Sequence, residues 1–94
     1  MQEEEISQAA RMYPTGPQIR AARALIDMSR EELASQSGVS SRTVNNIENG
    51  DTRPNRTTLE AVMGVLLAEG VEFDAGDPER GRGPGVYLRL DRQP

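Results

Sequence analysis

The chain has 94 residues, with 11 Arg, no Lys and 15 acidic residues, a net charge of −4. That length suits one small domain with short appendages. Zero Cys and zero His exclude disulfides, a thiolate nucleophile, Ser-His-Asp machinery and ordinary zinc sites.

A carboxylate-only enzyme would need a substrate cleft of ~300 Å³ or more, which so small a domain rarely holds. We therefore expect no enzymatic activity, no cofactor and no metal. Apolar residues make up 35% and aromatics 3%. The core must then be built from Leu, Ile, Val, Met and Ala, as in packed helices. The acidic balance counts against nucleic acid at the level of the whole chain. The use of Arg alone fits a GC-rich coding sequence. Arg also has a planar, always-charged fork suited to phosphate and guanine.

Residues 1–14 read as an acidic N-terminal arm. Met1-Gln2-Glu3-Glu4-Glu5 lacks the basic start of a secretory signal. No apolar run reaches the ~18–20 residues of a membrane span, so a cytoplasmic protein is expected. Ile6, Ala9, Ala10 and Tyr13 mark a weak helical stripe, and an arm without fixed structure is the favoured reading.

Residues 15–70 read as a helical domain. The spacing of Ile19, Ala22, Leu25 and Ile26 predicts a first helix over 15–28. Thr15 and Gln18 form a capping box and Pro17 sits in the first turn. Ser29 and Glu32 form a second capping box. Leu33 and Ala34 face inward, and Gly38 ends that helix in the left-handed region. Ser40 caps a third helix, with Val44 and Ile47 on its buried side. Asn49-Gly50 stops it, and Asp51-Thr52-Arg53-Pro54 is a turn. Asn55 or Thr57 opens a fourth helix, where Thr57 and Glu60 form a further capping box. Its stripe is Leu59, Val62, Met63, Leu66 and Leu67, and Gly70 is its C-cap.

Residues 71–94 change character. Val71 to Asp74 alternates, as does Val86 to Leu90, which predicts a β-hairpin with a long loose loop over 75–85. Two strands alone are marginal in water. Phe73, Val86, Leu88 and Leu90 are candidates for a dimer interface. The alternative is a hairpin folded onto its own fourth helix.

The most informative stretch runs from Arg30 to Ile47. Two short helices meet at Gly38-Val39-Ser40, Ala34 is small where they cross, and Val39 plugs the corner. This is a helix-turn-helix, whose second helix enters the major groove. The outward face of that helix carries Ser41, Arg42, Asn45, Asn46 and Asn49. Arg pairs bidentately with guanine, and Asn with adenine. Asn is a poor helix former, so two adjacent Asn residues in a helix call for a reason. Incidental polar decoration is the competing explanation.

These residues resemble the phage-repressor (Cro/CI, XRE) class of helix-turn-helix regulators. The matching pieces are Ser29-Arg30-Glu31-Glu32-Leu33-Ala34, Ser37-Gly38-Val39-Ser40, Thr43-Val44, Ile47-Glu48-Asn49-Gly50 and Arg53-Pro54. The resemblance covers Ile19 to Leu67. It implies a mainly α fold, a four- or five-helix repressor-like bundle, here with a short C-terminal β-hairpin. It implies a sequence-specific DNA-binding transcriptional regulator, a repressor binding a palindromic operator as a homodimer through the helix at 40–49.

By position, Ser41, Arg42 and Asn46 match base-reading sites, and Asn45 joins them from its outward placement. Arg30 and Thr43 match phosphate-gripping sites; Arg53 and Arg56 lie near the loop after the recognition helix, which in such regulators commonly touches the DNA backbone, and Asn49 is assigned to phosphates with them. Arg23 and Glu48 match a buried structural ion pair. Two departures stand out. Asp51 occupies a loop that is often basic, and residues 13–70 hold six Arg against seven acids. The positive face must therefore be local, with Glu31, Glu60 and Glu69 on other faces. A functional alternative is a protein-binding module, an antitoxin or antiactivator whose helix-turn-helix masks a partner protein.

Overall fold

The structure is a computed structural model that describes residues 13–90. The acidic arm and its stripe lie outside the described residues, except for Tyr13 and Pro14. Among the described residues four helices are followed by a two-stranded antiparallel hairpin: α1 (Gly16–Leu25), α2 (Arg30–Ser37), α3 (Ser41–Asn49), α4 (Arg56–Ala68), β1 (Val71–Asp74) and β2 (Gly85–Leu88). Among the described residues no helix is long and apolar enough to cross a membrane.

Each helix starts where a short polar side chain accepts a backbone N–H. Thr15 accepts from Gln18, Ser29 from Glu32, Ser40 from Thr43 and Asn55 from Thr58. The first two are reciprocal capping boxes, which satisfy two amides that a helix start otherwise leaves without partners. Gly38 (φ 79°) and Gly50 (φ 74°) close α2 and α3 in the left-handed region, where a Cβ would be strained.

Four boundaries differ from the sequence expectation. The first helix stops at Leu25, before 28, because Asp27 takes a left-handed conformation (φ 56°). The Met28 amide then donates to the Arg23 carbonyl at 2.9 Å, which closes the helix end. The fourth helix is capped by Asn55; Thr57 lies one residue inside it, so the Thr57–Glu60 box is not used. Its C-cap is Glu69, and Gly70 follows with φ 95°. The second strand ends at Leu88, although the Arg89 amide still donates to Gly70 at 2.8 Å.

The core consists of Ile19, Ala22, Leu33, Ala34, Val44, Ile47, Val62, Leu66 and Val71. Every helix and the first strand contribute to it, so the hairpin is part of the fold. β2 packs on α1, and β1 on α4. The register pairs Val71 with Leu88 and Phe73 with Val86. Phe73 and Val86, two of the four candidates for a dimer contact, are packed against this chain's own core. The apolar face of the hairpin is therefore spent inside the molecule, leaving half-buried Leu88 and exposed Leu90 at its end.

The loop between the strands is not loose. A single 3-10 turn spans Pro78–Arg80. Asp77 and Arg82 exchange two backbone hydrogen bonds, each 2.9 Å. Gly76 lies so close to the returning chain that a Cβ there would sit 2.5 Å from the Gly83 carbonyl oxygen. Turn chemistry that looked like flexibility in the sequence is used here to fold the loop back on itself.

Candidate nucleic-acid interface

The outer surface of α3 depends on how its inner surface is fixed. Val44 and Ile47 are buried in the core, and beside them lies Glu48, 2% exposed. An isolated carboxylate in that position would be very costly. Arg23 from α1 neutralises it with two hydrogen bonds, Nε at 2.5 Å and Nη2 at 2.9 Å. The third nitrogen, Nη1, donates to the Met28 carbonyl at 2.9 Å. The hydrogen bond to Glu48 holds the Arg23 guanidinium above its ordinary pKa, although burial opposes this. This fork ties α1, the α1–α2 corner and α3 together. Gly16 completes the junction, because a Cβ there would meet the Ile47 carbonyl oxygen at 2.4 Å.

Glu48 is the only acidic residue of α3. With it turned inward, the helix presents no carboxylate to solvent. The remaining polar residues fall into two groups. Ser41, Arg42 and Asn46 make no side-chain hydrogen bond among the described residues, and neither do Arg53 and Arg56 at the following turn and the start of α4. Arg42 and Asn46 are four residues apart, so they lie on one face in successive turns.

The second group is held by the protein itself. Asn45 accepts a hydrogen bond from Arg30 Nη1, across from the first residue of α2. Thr43 Oγ1 accepts from Ser40 at 2.9 Å. Asn49 Oδ1 accepts from Arg20 Nη2 at 2.8 Å. Residues that the sequence assigned jointly to bases and phosphates thus separate into free side chains and fixed ones.

Arg20 did not emerge from the sequence. Its Nη2 also donates to the Glu48 carbonyl at 3.1 Å, so it covers the end of α3. The signal was its position three residues before Arg23, on the same side of α1. Glu31 and Glu32 stand in the first turn of α2. Glu32 turns back to the Ser29 amide at 2.8 Å, and the charge of Glu31 acts on Arg23. On α4, Glu60 accepts from the Tyr13 hydroxyl at 3.0 Å.

Compared with known proteins, residues 19–66 match the family model described as Helix-turn-helix (HTH_3). That match spans most of α1 through most of α4, the elements that fix and surround the α3 face. No curated protein matches the chain.

Proposed function

The chain belongs to the helix-turn-helix family of the phage-repressor (Cro/CI, XRE) type, and from that premise we propose that it binds a specific duplex DNA site and represses transcription. α3 enters the major groove. Ser41, Arg42 and Asn46 read base edges, with Asn45 beside them. Arg30, Thr43, Asn49, Arg53 and Arg56 contact phosphates, fixing register without reading sequence. The domain needs no catalysis, metal or cofactor for this, and works in the cytoplasm. The regulatory sign we assign is repression, by occupancy of the promoter.

The observation that carries this reading is the outward face of α3. Its single acid is buried and neutralised, while Arg42 and Asn46 make no side-chain hydrogen bond among the described residues. This also reconciles DNA binding with a net charge of −4, because the local face is what a phosphate meets. One copy covers only a few base pairs. Two copies related by a two-fold axis would read a palindrome with half-sites ~34 Å apart.

The test is selection of bound genomic fragments by purified protein at two salt concentrations, beside an Arg42→Ala/Asn46→Ala variant. We expect a recurring palindrome that the variant no longer enriches, with affinity falling steeply as salt rises. A folded protein that enriches nothing would refute the reading and turn the search to a protein partner.

A further inference from the structure

We propose that Arg30 and Asn45 act as one reading head that presents only hydrogen-bond donors and so selects guanine. This rests on the DNA-binding reading above, and it replaces the phosphate role given there to Arg30 with a base preference shared with Asn45. An Asn amide has one acceptor oxygen and two donor N–H groups. Both ends are needed to pair with adenine, which offers a donor at N6 and an acceptor at N7. In this protein Arg30 Nη1 donates to Asn45 Oδ1, which takes one of that oxygen's two lone pairs and sets a guanidinium beside it, disfavouring a further donor there. The NH₂ of Asn45 and the remaining N–H groups of Arg30 are left to face a partner.

Such a surface meets the four bases unequally. Guanine presents two major-groove acceptors, O6 and N7, while cytosine presents a donor and adenine mixes a donor with an acceptor. Thymine offers one acceptor beside a methyl group. Only guanine has two acceptors for the paired donors. Among the described residues Arg30 forms no ion pair, and Glu32 is turned back by its cap. The pair spans α2 and α3, so its geometry is set by the helix-turn-helix corner rather than by one flexible side chain.

A phosphate is also an acceptor, and the experiment must separate it from guanine. The intact chain and two variants, Arg30→Ala and Asn45→Ala, are each used to select from a library of randomised duplex DNA. The intact chain should prefer guanine at one position of each half-site by roughly tenfold or more. Arg30→Ala releases the Asn45 oxygen, so preference at that position should switch to adenine while other positions keep theirs. Asn45→Ala should weaken the guanine preference without switching it. If Arg30→Ala lowers binding to all sequences alike and leaves the motif unchanged, Arg30 holds a phosphate and the proposal is overturned. A motif that responds to Arg42→Ala but to neither of these variants overturns the pair alone. Absence of any motif for the intact chain would refute the DNA-binding reading itself.

Discussion

The helix-turn-helix and the hairpin are fixed by interactions of different range. α2 and α3 are delimited by bonds spanning three residues, from Ser29 to Glu32 and from Ser40 to Thr43. The hairpin is anchored at its loop end by Gln18, whose Nε2 donates to the carbonyls of Asp74 and Gly85 at 2.9 and 2.8 Å. These acceptors lie 56 and 67 positions away and face each other in the strand register. The same side chain uses its Oε1 to cap α1 at Thr15, at 2.8 Å. One buried amide thus starts a helix and closes a sheet. Local chemistry delimits the reading module, and long-range chemistry decides whether the tail belongs to it.

The largest effect should come from the long-range Arg23–Glu48 pair inside the helix-turn-helix region. Arg23→Ala leaves the buried Glu48 carboxylate without its cation and should cost about 3–5 kcal/mol in urea unfolding; Glu48→Ala, which leaves only half-buried Arg23 unpaired, should cost less. Replacing both with Met should recover most of that loss, because a buried pair exchanged for apolar volume is often neutral. A double variant as unstable as Arg23→Ala would mean that the Arg23 bond to the Met28 carbonyl is the main element.

Next comes the hairpin anchor. Gln18→Leu orphans two carbonyls and removes half of the α1 capping box, an expected loss of about 2–3 kcal/mol. Hydrogen exchange should become fast in the hairpin amides first and leave α2 and α3 protected. Uniform acceleration across the domain would show that hairpin and helices unfold as one unit. Smaller again is the α4 cap: Asn55→Ala should cost about 1 kcal/mol, whereas Thr57→Ala should be nearly silent. The hairpin end offers a separate check on self-association. If two copies meet there, Leu90→Glu, at a residue 86% exposed, should convert a sedimenting dimer to monomer without changing thermal stability.

This difference in range also explains what the sequence revealed. The capping boxes at Thr15 and Ser29, the stop at Gly38 and the strand alternation are patterns within a few residues, and all were legible. So was the mainly helical fold. The early end of α1 was not, because it depends on Asp27 adopting a conformation that Gly or Asn more often takes. Asn55 and Thr57 both stood open as caps of α4, since both residue types cap well, and Asn55 takes the position. The hairpin residues Phe73 and Val86 were recognised as apolar, but periodicity cannot say whether such a face meets a mate or its own core. At the interface, sequence named Arg30 and Asn45 separately. Their bond lies across a corner, and no spacing rule announces it.

The smallest expected effect is a pH dependence in the hairpin. Asp74 accepts from the Gly76 amide at 3.0 Å and from the Tyr87 hydroxyl at 3.2 Å. Chiefly through the Gly76 bond, its carboxyl is held below the usual aspartate value. A group whose pKa is lower folded than unfolded stabilises the fold when ionised. That contribution is complete above the ordinary value of about 4 and is lost as pH falls through the lower, folded one. Other acids titrate in the same range, so the readout must be local. The Gly76 amide resonance of the intact protein should titrate with a midpoint below 4. In Tyr87→Phe that midpoint should rise slightly, and in Asp74→Asn the titration should vanish. A midpoint at the ordinary value would mean that the loop holds its shape through Gly76 packing and the Asp77–Arg82 backbone bonds alone, with the Asp74 carboxylate adding nothing to the tertiary anchoring of the tail.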